Sequence, residues 1–265
     1  MEAGVPEASL DARLLLEYVC GTNRNTLLAH NDREVTTDEQ NRYNEMIGRR
    51  AQRIPLQQLT GTQEFMGLRF VVNEHVLVPR QDTEILVEEV LRNLHDGMRI
   101  LDMCTGSGCI ILSLLHYSND CEGVGADISA AALAVAAENA RRLCGDDNLT
   151  LTEGDLFENV EGSFDVIVSN PPYIRHGEIA GLMPEVREHE PLQALDGGED
   201  GLGFYRRIIE ESGAHLMGGG LLYFEIGCEQ AAAVAALMER AGFAYIQVVK
   251  DYAGLDRVVY GTWRG

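Results

Sequence analysis

Apolar residues recur with the period of a helix in residues 8–53, which predicts short amphipathic helices packed as a small bundle. The first run consists of Leu10, Leu14, Leu15 and Val19. The segment Thr36-Thr37-Asp38-Glu39 is typical of a helix start, and it predicts another helix that runs through Tyr43, Met46 and Ile47.

Residues 64–80 change to a pattern that favours strands, with many aromatic and β-branched side chains. Met66-Gly67 and Asn73-Glu74 are candidate turns within this stretch. The segment therefore predicts one or two β-hairpins, with Pro79 leading into a second domain.

Strands and helices alternate from about residue 83 onward. The predicted strands are Met98–Met103, Gly123–Asp127, Leu149–Thr152, Phe164–Ser169, Leu221–Ile226, Tyr245–Val249 and Arg257–Thr262, and the main predicted helices are Ser129–Leu143, Gly203–Leu216 and Glu229–Ala241. Such alternation predicts an α/β fold with a mostly parallel sheet and helices on both faces. Ligands of such sheets bind beyond the carboxyl ends of the strands.

The charge and composition narrow the function classes. The 265 residues carry a formal net charge of −21, of which about −18 lies after residue 75. Such a surface repels phosphate backbones, so we expect no direct nucleic-acid substrate. The chain has no run of 18 apolar residues and no basic, apolar leader at its start. We therefore expect no membrane span and a cytoplasmic location.

The six cysteines show no spacing typical of a metal site. Cys20, Cys104, Cys109, Cys121, Cys144 and Cys228 include no CxxC pair, and the seven histidines are scattered. We predict reduced, mostly buried thiols and no metal.

A glycine-containing turn between a strand and a helix predicts a nucleotide site. The stretch Ile100–Gly108 ends in Cys104-Thr105-Gly106-Ser107-Gly108, where backbone N–H groups at a helix start can approach a ligand closely. The third glycine of the dinucleotide version is missing. Asp127, 19 residues after Gly108, ends the second strand and is expected to bind ribose hydroxyls, because Ser129 is the better helix cap. Asp155 lies either at the adenine edge or in a surface loop.

The motif Asn170-Pro171-Pro172-Tyr173 follows a predicted buried strand and indicates methyl transfer to nitrogen. Two prolines make the turn rigid and remove two donors, so the turn displays acceptors. The Asn170 side-chain oxygen and the Pro171 carbonyl can each accept one proton of a substrate NH₂ group, while Tyr173 is expected to form an apolar wall. The motif alone leaves three substrates open: adenine N6, cytosine N4 and a protein glutamine.

The whole sequence resembles the release-factor glutamine methyltransferases, the HemK/PrmC family. The resemblance is carried by Leu10–Leu16, Pro55–Gly61, Glu64–Gly67, Val76–Arg80, Ser169–Ile174, Glu190–Leu195, Gly197–Leu202, Tyr205–Ile208, Glu225–Gly227 and Asp251–Arg257. It implies a helical substrate-recognition domain (1–62), a hairpin linker (63–82) and a seven-stranded, Rossmann-like class I methyltransferase domain (83–265).

The resemblance also implies the reaction and its residues. The cofactor is S-adenosyl-L-methionine, with S-adenosyl-L-homocysteine as product, and the partners are class 1 release factors, methylated by a monomer on the Gly-Gly-Gln glutamine. The implied cofactor residues are Cys104, Thr105, Gly106, Ser107, Gly108, Asp127, Asp155, Leu156 and Asn170. The implied catalytic and substrate residues are Asn170, Pro171, Pro172 and Tyr173.

Two departures from the family pattern stand near the site. Gln81-Asp82 replaces the usual Pro-Glu, and Met103-Cys104 replaces the usual Leu-Gly of the loop. The acidic chain argues against a DNA adenine enzyme, which needs a basic groove. The intact Asn170 and glycine loop argue against an inactive binding module. Methylation of another Gly-Gly-Gln protein stays open.

Overall fold

The N-terminal part of the chain is helical, as predicted. In this computed structural model, which describes residues 3–143 and 147–265, the helices are α1 (Ala8–Val19), α2 (Arg24–Ala29), α3 (Thr37–Ala51) and α4 (Leu56–Thr60). Their shared core consists of Leu15, Val19, Met46 and Leu59. Leu10 is 37% exposed and does not belong to it. The predicted start of α3 is confirmed by a capping box between Thr36 and Glu39.

One hairpin links the helical part to the rest, with strands β1 (Thr62–Phe65) and β2 (Leu68–Val71). Met66 and Gly67 form its turn with positive φ angles, as expected for a tight hairpin. Asn73 begins a second turn, but no strand follows it, so no second hairpin forms. The Glu84 carboxylate accepts a 2.7 Å hydrogen bond from the Met66 N–H group and ties the hairpin to the next helix.

A seven-stranded mixed sheet forms the centre of the second part and confirms the predicted fold class. Its strands are β3 (Arg99–Met103), β4 (Glu122–Asp127), β5 (Leu149–Glu153), β6 (Phe164–Ser169), β7 (Leu216–Glu225), β8 (Phe243–Lys250) and β9 (Asp256–Trp263). Their order is β5-β4-β3-β6-β7-β9-β8. The first five in this order are parallel, and β9 is antiparallel to both neighbours.

Helices cover both faces of this sheet. The helices of this part are α5 (Gln81–Asn93), α6 (Cys109–His116), α7 (Ala130–Leu143), α8 (Pro184–Arg187), α9 (Gly203–Ser212) and α10 (Ala231–Ala241), with 3₁₀ turns at His176–Gly181 and Leu192–Ala194. All of these helices except the short α8 pack on the sheet. One core contains α5, α6 and the hairpin phenylalanines, and the other contains α9 and α10. Neighbouring residues such as Ile100 and Leu101 belong to opposite cores, which is the alternation expected of a strand between two helix layers.

Two boundaries differ from the predicted ones by four residues or more. The helix predicted to end at Leu216 ends at Ser212, and β7 begins at Leu216 instead of Leu221. Gly218-Gly219-Gly220 misled the prediction, because glycines are depleted from strands. Here Gly219 adopts a φ of 88°, and the pairing of β6 with β7 shifts register between Phe164 and Val166.

The cysteines of the described ranges are free thiols. Of the five described cysteines, Cys121 is buried, Cys228 is exposed, and the other three are half-buried. The prediction of mostly buried thiols is therefore wrong. Cys144 lies outside the described residues. Across residues 3–143 and 147–265, no helix combines the length and the apolar character needed to cross a bilayer.

A network of ion pairs joins the N-terminal helices to the segment that follows β6. Arg50 of α3 pairs with Asp11 at 2.8 Å and with Glu185 of α8 at 2.9 Å. Arg53 donates two more hydrogen bonds to Glu185, at 2.7 and 2.5 Å. Burial raises the pKa of Glu185, but the bonds from Arg53 and Arg50 outweigh it and lower that pKa to about 2. The two parts are therefore held together by charge at this point.

We expect Glu185→Gln to lower the free energy of unfolding by about 2–3 kcal/mol at pH 7, because it leaves two guanidinium groups without their shared carboxylate. The stabilisation by Glu185 should be present above pH 4.5 and be lost as the pH falls toward 2. Urea unfolding at several pH values measures both effects. Glu178→Gln is the matched control, since its pair with Arg175 is exposed and should matter little. Equal loss in both variants would contradict the interpretation.

Candidate active site

The candidate site lies where β3 and β6 end side by side. Met103 pairs with Ser169 in the parallel register, and the buried Ser169 hydroxyl donates to the Met103 carbonyl at 2.6 Å. The next residues, Cys104 and Asn170, are therefore neighbours at the carboxyl edge of the sheet. A cavity of about 600 Å³ opens there.

Most of the sequence-predicted site residues line this cavity. They are Cys104, Thr105, Gly106, Ser107, Asp127, Asp155, Leu156, Asn170 and Pro172. The other three, Gly108, Pro171 and Tyr173, are not part of its lining. The fold thus brings together loops that are far apart in the sequence, and it gives Gly108 and Tyr173 supporting positions.

The glycine loop adopts left-handed backbone conformations at three positions. Cys104, Gly106 and Gly108 have φ angles of 63°, 54° and 76°. A side chain on Gly108 would lie 3.1 Å from Leu112 Cδ1 and 3.2 Å from Ala136 Cβ, so this glycine permits close packing of α6 and α7. Cys104 replaces the usual first glycine in a conformation that costs an ordinary residue about 1–2 kcal/mol.

Asp102 holds this loop from inside the sheet, although the sequence did not single it out as a site residue. Its Oδ2 atom accepts hydrogen bonds from the Thr105 hydroxyl at 2.6 Å and from the Ile111 N–H group at 3.3 Å. Burial raises the pKa of Asp102 to about 7. The sequence feature that could have indicated this role is a carboxylate inside an apolar strand directly before the glycine loop.

Asp127 ends β4 and faces the same loop. Its two carboxylate oxygens accept the N–H groups of Gly106 and Ser129, each at 2.9 Å. The Ser129 hydroxyl accepts the Ala132 N–H group at 3.2 Å, so Ser129 is the helix cap, as expected. Burial raises the pKa of Asp127, while the two N–H groups oppose that shift. Asp127 thus orders the loop and also lines the cavity.

Asp155 and Leu156 follow β5, the strand that lies next to β4 on the side away from β3. Asp155 is exposed and forms a 2.9 Å ion pair with Arg207 of α9, and both residues line the cavity. Asp155 is therefore both a surface carboxylate and a wall residue. Leu156 is 5% exposed, has a φ of 55° and contributes a buried apolar side chain to the cavity lining.

The Asn-Pro-Pro-Tyr turn lies between the glycine loop and α5. The Asn170 Nδ2 group donates to the Thr83 hydroxyl at 3.3 Å. No hydrogen bond to Asn170 Oδ1 is formed by the residues that the structure describes, although Asn170 lines the cavity. Its side chain therefore offers the cavity an acceptor.

Tyr173 has a different role from the predicted apolar wall. Its hydroxyl donates to Glu225 at 3.3 Å, and its carbonyl accepts from Gln230 Nε2 at 3.0 Å. Burial, with the nearby Glu225 charge, raises the pKa of Tyr173 beyond its ordinary value. Tyr173 therefore stays neutral and braces the turn from the protein interior.

A second loop packs directly on this turn. A side chain on Gly197 would lie 2.7 Å from the Tyr173 Cα atom, and one on Gly201 would lie 2.5 Å from the Tyr173 carbonyl oxygen. The Ile174 N–H group donates to the Leu195 carbonyl at 3.0 Å. Contact this close leaves the turn little freedom to move, and only glycine permits it.

Comparison with known proteins identifies the family. Residues 1–61 match the PrmC N-terminal domain, and residues 80–185 match the methyltransferase small domain. The release factor glutamine methyltransferase of Agrobacterium fabrum is 43% identical over 97% of this chain and 91% of its own length. That of Geobacter sulfurreducens is 44% identical over 98% and 91%. The chain belongs to the release factor glutamine methyltransferases. It is an S-adenosylmethionine-dependent enzyme.

Solved structures agree with the fold of this methyltransferase. A methyltransferase from Pyrococcus furiosus has a TM-score of 0.58 at 20% identity, covering 82% of this chain and 99% of its own. A 16S rRNA N2 G1207 methyltransferase from T. thermophilus, solved with AdoMet and guanosine, has a TM-score of 0.54 at 17% identity, covering 77% and 50%. Identities this low support the fold alone.

The residues of the cavity fit S-adenosylmethionine. Asp127 offers a half-buried carboxylate for two ribose hydroxyls, and Leu156 and Phe204 offer apolar surface for an adenine ring. A Cβ on Gly106 would meet no atom within 4 Å, so the loop is open beside the ligand space. When bound, the cofactor supplies an electrophilic methyl group on sulfur.

We expect Asp127→Asn to weaken S-adenosylmethionine binding roughly 10- to 100-fold, because a hydrogen bond to a charged group is worth roughly 1.5–3 kcal/mol. Calorimetry measures the affinity. The control is Asp96→Asn in an exposed loop, where the carboxylate accepts a 3.3 Å hydrogen bond from Asn119. Unchanged affinity in the Asp127 variant would refute its role in ribose binding.

Proposed function

We propose that this enzyme methylates the side-chain amide N5 of the glutamine in the Gly-Gly-Gln motif of class 1 peptide-chain release factors. The observation that carries the proposal is the rigid Asn-Pro-Pro-Tyr turn beside the glycine loop, with Asn170 facing the cavity. Relatives that are 43–44% identical over nearly the full length carry the name release factor glutamine methyltransferase, which supports this substrate.

The chemistry of an amide explains the need for such a turn. An amide nitrogen is a poor nucleophile because its lone pair is delocalised into the carbonyl group. Asn170 Oδ1 accepts one amide proton in this proposal and the Pro171 carbonyl accepts the other, so the lone pair is directed at the methyl group. A fixed orientation thereby replaces a strong general base, and the proton leaves with or after methyl transfer.

The acidic surface favours a protein substrate over a nucleic acid. A formal net charge of −21 opposes approach to a phosphate backbone. A protein substrate has no phosphate backbone and meets no such barrier. We infer that the enzyme acts in the cytoplasm as a monomer, without direct contact to nucleic acid or membrane.

The N-terminal helices are the proposed recognition domain for the release factor. Residues 1–61 match the PrmC N-terminal domain, and α2 with its following loop exposes apolar side chains. Leu28 is 70% exposed and Val35 is 49% exposed. The ion pairs from Arg50 and Arg53 to Glu185 fix this domain to the segment that follows the reaction turn. A release factor held there can present its glutamine to the cavity.

The function is tested by incubating the enzyme with labelled S-adenosylmethionine and a purified class 1 release factor. We expect one methyl group on the Gly-Gly-Gln glutamine, located by mass spectrometry. A release factor with glutamate in place of this glutamine should stay unlabelled. Asn170→Ala should lower the rate roughly 10²–10³-fold, because one oriented polar group at the reacting centre is lost.

Two other results would overturn the proposed function. Label in DNA but not in the release factor would favour an adenine enzyme. Label on a different Gly-Gly-Gln protein, with none on the release factor, would keep the chemistry and change the substrate. Both outcomes are measured by incubating the unmodified enzyme and labelled S-adenosylmethionine with each candidate substrate.

We expect Leu28→Ser to raise KM for the intact release factor about tenfold, because a leucine buried in an interface contributes roughly 1.5–3 kcal/mol. The rate on a short Gly-Gly-Gln peptide should not change, since such a peptide lacks the rest of the release factor that α2 is proposed to contact. Tyr245→Ser on β8, where the side chain is 77% exposed, is the control. Equal effects on peptide and intact protein would contradict a recognition role for α2.

A further inference from the structure

A buried polar pair lies directly behind Asn170. Thr83 of α5 is 2% exposed and accepts the hydrogen bond from Asn170 Nδ2. Glu225, at the end of β7, is also 2% exposed, and its Oε2 atom has no hydrogen-bond partner among the residues that the structure describes. Thr83 lines the cavity beside Asn170, whereas Glu225 lies behind Thr83 and is not part of the lining.

Thr83 and Glu225 are in electrostatic contact. Burial raises the pKa of Glu225, while the nearby Thr83 hydroxyl, the Arg257 charge and the Tyr173 hydroxyl lower it and favour the carboxylate. The described residues form no hydrogen bond to Glu225 Oε2, which is left as a buried acceptor. The single Thr83 proton can turn toward this acceptor.

The Asn170 carboxamide has two ends with opposite chemistry. Its oxygen accepts hydrogen bonds and its NH₂ group donates them, and the two ends are nearly equal in shape. Packing alone therefore cannot select which end faces the cavity. A substrate amide requires the oxygen, because its own NH₂ group brings only donors.

We propose that Thr83 is a positioning residue that fixes the orientation of the Asn170 carboxamide, with Glu225 holding the Thr83 proton. A hydroxyl has one proton and can accept two hydrogen bonds. When that proton points to Glu225, Thr83 can only accept from Asn170, which turns the Asn170 NH₂ group inward and Oδ1 toward the substrate. The proposal rests on the proposed function, because it assigns Asn170 Oδ1 to the substrate glutamine.

The alternative orientation costs binding energy at two places. If Asn170 were flipped, its NH₂ group would face the NH₂ group of the substrate, and its oxygen would need the Thr83 proton. The Thr83 proton would then be unavailable to Glu225 Oε2, which has no other donor among the described residues and is buried, where an unsatisfied charged group is costly. The same argument predicts that Asn170→Asp is as poor as Asn170→Ala, because an aspartate oxygen cannot donate to Thr83.

The test compares Thr83→Val with Thr83→Ser in single turnovers on an intact release factor. Valine keeps the shape but removes the hydroxyl, so we expect the methyl-transfer rate to fall roughly 10- to 100-fold, as is typical when a supporting hydrogen bond is lost. Affinity for S-adenosylmethionine should change less than twofold. Serine restores the hydroxyl and should recover most of the rate. A Thr83→Val enzyme with the unmodified rate would overturn the proposal.

A double-mutant cycle with Asn170→Ala separates positioning from a general effect on structure. If Thr83 acts through the Asn170 amide, Thr83→Val should cost little in the Asn170→Ala background. An equal loss in both backgrounds would overturn the proposal. Ser212→Ala removes a buried hydroxyl that donates to the Ile209 carbonyl in α9, and as the matched control it should leave the rate unchanged.

Glu225→Gln is the second variant, and it decides the matter if Thr83→Val does not fold. Its NH₂ group can donate to Thr83, which frees the Thr83 proton for Asn170 Oδ1. We expect a rate loss that disappears in the Asn170→Ala background, and an undiminished loss there would overturn the role of Glu225. If the unmodified enzyme does not label the release factor, the proposed function fails; if it does and these cycles are additive, only the positioning role fails.

Discussion

The pairing of Met103 with Ser169 is the constraint on which the rest of the site depends. Adjacent parallel strands whose last residues pair end at the same edge of the sheet. The turn after one strand therefore lies beside the turn after its neighbour. One turn is the glycine loop and the other is Asn-Pro-Pro-Tyr. The 2.6 Å bond from the Ser169 hydroxyl to the Met103 carbonyl fixes this level inside the core. A methyl donor and an acceptor nitrogen are thereby brought together by the sheet itself.

Rigidity around the acceptor turn comes from packing as well as from its two prolines. Gly197 and Gly201 allow a second loop to touch the Tyr173 backbone, and Gln230 bridges the Tyr173 and Gly201 carbonyls at 3.0 and 3.2 Å. Gly197, Gly201 and Gln230 lie outside the motif that carries the chemistry. They keep an acceptor in a fixed place, and oriented polar groups at a reacting centre contribute several kcal/mol to catalysis only when they need not reorganise.

Much of the fold and of the candidate site could be predicted from the sequence, because periodicity and turn chemistry are local properties. The strand before Asn170, the helix start at Thr36 and the Met66-Gly67 turn are such cases. Thr83 and Glu225 could not be predicted, since a threonine at a helix start and a glutamate at a strand end have no local feature that indicates a contact across 142 residues. Tyr173 was given the wrong environment, because a motif does not show which way its last side chain points.

A structure of the enzyme with S-adenosylhomocysteine and a Gly-Gly-Gln peptide tests the central claim most directly. The claim predicts the substrate amide nitrogen within hydrogen-bond distance of Asn170 Oδ1, roughly 2.7–3.2 Å, with Asn170 Nδ2 still on Thr83. The peptide carbonyl oxygen facing Asn170 Nδ2 would contradict it, and so would a glutamine bound away from the turn.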